Sequence, residues 1–79
     1  MKIKELDQVI ERIEKQIQDV RIQYFRSPVN NDIRFYVHYN GKRGQMFLPF
    51  EMIRKMTSEN FYNQFYGQVY VFKQFNGGD

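Results

Sequence analysis

The sequence has no cysteine, no tryptophan and only one histidine, His38. Without cysteine the chain can form neither a disulfide nor a cysteine-based zinc site, and one histidine cannot build a zinc site alone. No apolar run approaches the roughly 20 residues of a membrane span, and charges recur too often near the start for a signal peptide. We therefore expect a cytoplasmic protein with no membrane contact, no metal and no cofactor.

The length of 79 residues allows one domain, which we place at residues 1–79. A chain this short buries only about 60% of the surface that its unfolded form exposes, so its own core provides limited stability. Small folds often add disulfides or a metal, and both are excluded here. A homodimer is therefore one hypothesis for how the chain buries further apolar surface.

The sequence also lacks the residue combinations that catalysis requires. Ser27 precedes a proline and Ser58 suits a helix cap, so neither has the setting of a nucleophile. The carboxylates beyond residue 20 are scattered, with no pair for two-carboxylate chemistry. Gly41 and Gly44 are too close together for a phosphate-binding loop and fit a turn better. We expect no enzymatic activity and no catalytic residue.

Composition changes at about residue 20. Residues 1–20 carry four positive and five negative side chains and no aromatic residue, whereas residues 21–79 carry eight positive and four negative side chains and all fourteen aromatics. Six apolar residues of the first segment recur at spacings of three and four. They form the seam Ile3, Leu6, Ile10, Ile13, Ile17 and Val20.

This spacing predicts an amphipathic helix over residues 1–20. The seam has two interpretations, because globular helices and coiled coils show nearly the same pattern. It packs on the sheet of its own domain, or it joins the same helix of a second copy in a homodimer.

The remainder of the chain is predicted to form strands with one helical insert. Residues 20–25, 33–39 and 45–48 alternate as strands do, and Asn40-Gly41 is a strong hairpin signal because a type I′ turn needs positive φ at both residues. Pro49 suits the start of a helical insert, Gly67 suits its end, and residues 68–75 are predicted to be a last strand. Residues 76–79 are expected to be a flexible tail.

The predicted fold is therefore α+β. It has a small antiparallel sheet of about four strands in the order α-β-β-β-α-β, with the N-terminal helix and the helical insert packed on one face. Residues 21–75 supply the aromatic-rich, basic sheet and helix. The opposite face is expected to carry Arg21, Phe25, Arg34, Tyr36 and His38, with some of Phe47, Tyr70 and Phe72.

Arginine and aromatic residues alternate on the predicted strands, a pattern that suits single-stranded DNA or RNA because bases stack on aromatic rings and phosphates pair with cations. The hairpin tip and the helical insert add further basic residues. The candidate nucleic-acid-binding residues are Arg21, Phe25, Arg34, Tyr36, His38, Lys42, Arg43, Arg54 and Lys55.

A protein partner is the other hypothesis, and it leads narrowly because the aromatic residues outweigh the modest net charge of +3. Interface centres are enriched in tyrosine, phenylalanine, methionine and arginine. The candidate protein-binding residues are Tyr62, Tyr66, Tyr36, Arg34 and Met52. In size and in its richness in Asn, Gln, Lys, Phe and Tyr, the chain resembles small phage and mobile-element proteins. The resemblance covers no motif and implies an inhibitor or adaptor, such as an anti-defence protein of the anti-CRISPR type.

Overall fold

A computed structural model describes residues 1–77, which form three helices and three strands. The predicted α+β class with an antiparallel sheet is confirmed, although the sheet has three strands where about four were predicted. In chain order the elements are α1 (Ile3–Gln16), β1 (Arg21–Ser27), β2 (Asp32–Tyr39), β3 (Lys42–Pro49), α2 (Phe50–Lys55) and α3 (Ser58–Gly77).

The three strands form an antiparallel meander with β2 in the centre. The predicted hairpin at Asn40-Gly41 is confirmed, since both residues have positive φ (54° and 76°) and Tyr39 pairs with Lys42 across the turn. The other connection turns at Asn31, whose φ of 52° is tolerated because asparagine adopts the left-handed region more readily than most residues. Two short turns thus fix the register of the whole sheet.

The seam of α1 packs inside this single chain. Its buried members are Leu6, Ile10, Ile13, Ile17 and Val20, while Ile3 is 40% exposed. The structure therefore corrects the dimer-seam interpretation, because almost none of these side chains is exposed for contact with a second copy. The helix also ends at Gln16 rather than at residue 20, since Asp19 with φ of 68° turns the chain into β1.

The prediction of a last strand over residues 68–75 is wrong, because α3 continues through it to Gly77. Phe61, Phe65 and Val69 recur every four residues and are at most 1% exposed, so one continuous helical stripe enters the core. Gly67 does not stop the helix, because it lies on the exposed side where the backbone meets no neighbour. The first two residues of the predicted tail belong to α3, and Gly78 and Asp79 lie outside the described residues.

Three phenylalanines hold α3 on the sheet. Phe35 of β2 lies 5.6 Å from Phe61 and 4.9 Å from Phe65 between ring centroids, and the two α3 rings are 5.3 Å apart. All three are buried, and their tilted packing is a favourable geometry for aromatic rings. Because α1 and α3 lie side by side on this face of the sheet, the opposite face remains without a helix among residues 1–77.

Polar contacts also tie α1 to its neighbours. The carboxylate of Glu5 accepts a hydrogen bond from the Ser58 hydroxyl at 2.7 Å and another from the Lys2 backbone N–H at 3.2 Å. These bonds, the one from Ser58 first, lower the pKa of Glu5 below its ordinary value. The Tyr24 hydroxyl donates a hydrogen bond to the carboxylate of Asp7 and so links β1 to α1.

The ionisation of the Tyr24 phenol can be measured by alkaline titration. Burial and then the hydrogen bond to Asp7 raise the pKa of Tyr24 from 10.0 to about 12. Because the folded state favours the neutral phenol, this contribution to stability is complete below pH 10.0 and is lost as the pH rises through about 12. Alkaline titration followed by tyrosinate absorbance should show one ionisation near pH 12 that is missing in Tyr24→Phe.

The variant Asp7→Asn serves as the control for this titration. It removes the charged acceptor and keeps the burial, so the pKa of Tyr24 should fall only part of the way toward 10.0. If wild type and Tyr24→Phe differed only near pH 10, the contact between Tyr24 and Asp7 would be refuted.

Candidate nucleic-acid interface on the open face of the sheet

Side chains on the strands alternate between the helix-covered face and the opposite face, which we call the open face. The cross-strand register arranges nine of them in three rows of three. The rows are Arg21–His38–Arg43, Gln23–Tyr36–Gln45 and Phe25–Arg34–Phe47. The six residues on the two edge strands are exposed, and the three on β2 are half-buried by their neighbours.

The aromatic rings of the open face are exposed to an extent that is unusual for their size. Phe25 is 49% and Phe47 is 51% exposed, although both lie on regular strands beside a well-packed core. Phe25 stacks on Tyr36 with a centroid distance of 5.7 Å and an interplanar angle of 16°. The nearly parallel rings form an apolar platform that presents faces and edges to solvent.

Arginine side chains lie over two of these rings. The guanidinium of Arg34 is 5.0 Å from the centroid of Phe47, and that of Arg43 is 5.2 Å from the centroid of Tyr36. Such contacts hold a long, flexible cation close to an aromatic surface. The open face therefore presents charge and ring together, as ligands with both an anionic and a planar aromatic part require.

The charge of the three rows has one sign. The rows contain three arginines and one histidine but no carboxylate. Two acids lie beside the rows: Asp19 lines a pocket with Arg21 and His38, and Asp32 follows in the next row with a side chain only 19% exposed. Oδ1 of Asp32 lies 3.9 Å from Nε of Arg34, and both atoms are shielded from solvent without a hydrogen bond. Asp32 thus holds one side of the guanidinium, and the remaining N–H groups stay free to bind a ligand.

Acidic side chains collect in a groove that borders the open face along β1. This groove of about 710 Å³ between α1 and β1 is lined by Asp7, Glu11 and Glu14, by residues of the core side, and by Gln23 and Phe25 of the open face. The carboxylate of Glu14 accepts a hydrogen bond from the backbone N–H of Ile22 at 2.8 Å, which occupies one edge group of β1. This groove would repel an anionic ligand, so the charges of the chain favour the open face for one.

The structure brings most of the predicted nucleic-acid-binding residues together, whereas the predicted protein-binding residues lie apart. Six of the nine nucleic-acid candidates lie together on the open face, namely Arg21, Phe25, Arg34, Tyr36, His38 and Arg43. Lys42 lies at the hairpin tip with the opposite side-chain parity, and Arg54 and Lys55 lie on α2. The structure does not bring those three into the rows.

The protein-binding candidates are dispersed. Arg34 and Tyr36 lie on the open face, Tyr62 and Tyr66 lie on α3 on the other side of the sheet, and Met52 is 49% exposed on α2. Tyr62 and Tyr66 lie one turn apart on α3 and form a stripe that Tyr70 extends. We call these three residues the tyrosine ladder. The ring centroids are 5.6 Å apart between Tyr62 and Tyr66 and 6.4 Å apart between Tyr66 and Tyr70. The guanidinium of Arg12 lies 3.8 Å from the ring centroid of Tyr62.

Sequence reasoning missed Gln23 and Gln45 and left Phe47 undecided. The hairpin at Asn40-Gly41 could have placed the last two, because counting outward from a two-residue turn pairs Tyr36 with Gln45 and Arg34 with Phe47. Tyr70 and Phe72, which were also considered for this face, lie on α3. Their assignment failed together with the prediction of the last strand.

Residues 1–77 contain neither a candidate metal site nor a candidate membrane span. This part of the chain has no group of three or more His, Cys, Asp or Glu side chains that could hold a metal ion. None of its helices combines the length and the apolar character that crossing a membrane requires. Comparison of the chain with protein-family models, with curated proteins and with solved structures finds no match.

Proposed function

We propose that this protein binds single-stranded nucleic acid on the open face of its sheet. The observation that supports the proposal is the composition of the three rows on that face, which contain three aromatic rings, three arginines and a histidine and no carboxylate. Bases stack on aromatic rings irrespective of sequence, and arginines neutralise the phosphates.

The shape of the open face favours unpaired strands over duplexes. Neighbouring strands of a sheet lie only about 4.8 Å apart, so the three rows form a nearly flat platform without a protruding helix or ribbon. Bases in a duplex are already stacked on each other and offer only their edges in the grooves. Unpaired bases can instead lay their planar faces on Phe25, Tyr36 or Phe47.

The distribution of charge supports the same partner. Residues 1–20 have an excess of negative charge and residues 21–79 an excess of positive charge, and the three rows of the open face contain cations and no carboxylate. A basic surface with low-dielectric surroundings attracts anions and raises their association rate. Arg21, Arg34 and Arg43 thus place positive charge in the same rows as the aromatic rings.

The proposal is tested by fluorescence anisotropy with a labelled single strand of about eight nucleotides, within the usual site size of sheet-based binders. We expect binding at low salt that weakens steeply as salt is added, and much weaker binding to a duplex of the same sequence. The variant Arg21→Ala/Arg43→Ala should reduce the salt slope by about 0.7 for each phosphate that the protein no longer neutralises.

Lys55→Ala is the matched control, because Lys55 is exposed on α2 away from the rows. It should leave the salt slope of the wild type nearly unchanged. Absence of binding at low salt would refute the proposal. An effect of Lys55→Ala as large as that of the double variant would refute the assignment to the open face.

The tyrosine ladder supports a second candidate function, a protein-binding inhibitor or adaptor of the kind that phages and mobile elements carry. Tyr70 is 48% exposed at one end of the ladder, and Tyr62 and Tyr66 are half-buried. Aromatic anchors of this kind contribute about 2 kcal/mol or more to protein interfaces. A complex that persists at high salt and is weakened by Tyr62→Ala would support this function in place of the first.

A further inference from the structure

We infer that the middle row of the open face, Gln23–Tyr36–Gln45, determines base specificity and accepts one unpaired adenine. This inference rests on the proposed function and goes beyond it, because stacking and phosphate contacts alone would not distinguish the bases. In this arrangement Tyr36 provides the stacking surface, and the two glutamines contact the edge of the base.

The register places one amide on each side of the ring. Gln23 on β1 and Gln45 on β3 both pair with Tyr36 on β2. Directly opposite residues have Cβ atoms about 5 Å apart, so both amides reach the edge of a base that lies on the ring between them. Both glutamines are exposed, and within residues 1–77 neither amide makes a hydrogen bond that binding would break.

The free protein already holds a planar group against Tyr36. The guanidinium of Arg43 lies 5.2 Å from its centroid, and Phe25 stacks on the same ring. A base is a larger planar group and can replace the guanidinium on the ring. Arg43 is exposed and belongs to the row of Arg21 and His38, so its displaced side chain can turn to a phosphate.

The spacing of the rows matches a nucleotide bound in this way. The row Arg21–His38–Arg43 is two residues from the middle row along each strand, a distance of about 7 Å. A base on Tyr36 therefore has its phosphate within reach of two arginines. The row Phe25–Arg34–Phe47 lies the same distance in the opposite direction and offers rings to the neighbouring base.

The residue type of the middle row selects the base. At the edge of a purine that carries N7, the side-by-side donor and acceptor of a glutamine amide pair with the N6 and N7 atoms of adenine, whereas arginine is the side chain that pairs in this way with guanine. The arginines belong to the outer rows, and only glutamines flank Tyr36. The edge of a base on Tyr36 therefore meets amides on both sides.

The test compares four labelled single strands of about eight thymidines, one unmodified and three with a central dA, dC or dG. Wild type should bind the dA strand about fivefold or more tightly than the other three, because one bidentate pair gives at least that discrimination. Gln23→Met/Gln45→Met keeps the side-chain length and removes the amides. It should bind all four strands within about twofold of each other, with the salt slope of the wild type retained.

Gln64→Met, an exposed position on α3, is the control and should keep the preference for dA. Equal wild-type affinity for all four strands, a preference for another base, or a dA preference that survives in the double variant would overturn the inference and leave the proposed function standing. Failure of the wild type to bind any of the strands at low salt would overturn both.

Discussion

Replacing Phe35 with alanine is expected to lower the free energy of unfolding by about 3–5 kcal/mol, the range for removing a large aromatic side chain from a core. Phe35 is fully buried at the centre of the sheet and contacts both Phe61 and Phe65. A domain of this length has a total stability of about 4–12 kcal/mol. The variant should therefore be largely unfolded, or close to it, at room temperature.

Urea denaturation followed by circular dichroism measures this difference. Phe75→Ala is the matched control, because the same substitution at a residue that is 84% exposed should change the stability by less than about 0.5 kcal/mol. A decrease below about 1 kcal/mol in Phe35→Ala would mean that α3 does not pack on β2 through the three phenylalanines.

The second large effect is expected on binding. Tyr36→Ala/Phe47→Ala should weaken the complex with single strands by about 2 kcal/mol or more, roughly thirtyfold, because each stacked base contributes about 1–3 kcal/mol. The weakening should remain at high salt, since stacking does not depend on released counterions. Phe47 is 51% exposed and Tyr36 lies on the open face, so the fold should survive both substitutions.

Fluorescence anisotropy gives the affinity, and circular dichroism verifies the fold of the variant. Tyr70→Ala is the control, because Tyr70 has an exposure of 48%, close to that of Phe47, but lies on α3. Its affinity for single strands should equal that of the wild type. If Tyr70→Ala weakened binding as much as the double variant did, the strands would be binding to the helical side of the sheet.

The parts of the fold that the sequence predicted are those with strong local signals. Asn40-Gly41 specifies a turn by its tolerance of positive φ, and the spacing of Ile10, Ile13 and Ile17 specifies an amphipathic segment. In each case the information lies within a few residues. The surface against which the segment packs is not specified by these few residues. The seam of α1 was therefore compatible with a dimer and with a single chain.

The helix at residues 68–75 could not be predicted from its own residues. Val69, Val71 and the aromatic residues around them favour a strand locally. The helix forms because Phe61, Phe65 and Val69 must all reach the Phe35 side of the sheet, a requirement set by tertiary packing. Propensities that differ by less than about 1 kcal/mol per residue are easily outweighed by the burial of such a stripe.

The candidate site could be predicted where the alternation of side chains along a strand shows which face of the sheet each residue occupies. Alternation along β2 places Arg34, Tyr36 and His38 on one face, and their residue types indicate stacking and phosphate contacts. The contribution of β3 follows by counting from the Asn40-Gly41 turn, whereas that of β1 depended on a register that only the paired sheet reveals. The basic residues of α2 could not be separated from the site by charge alone, because only the position of the helix excludes them.

The most direct measurement is a titration of the isotope-labelled protein with a single-stranded oligonucleotide, followed by its backbone amide chemical shifts. Binding on the open face predicts that the largest changes lie on the three strands, centred on Tyr36 and its neighbours Gln23 and Gln45, while the amides of α3 around Tyr66 change little. Changes concentrated on α3, or no changes at low salt, would contradict the assignment of nucleic-acid binding to the open face.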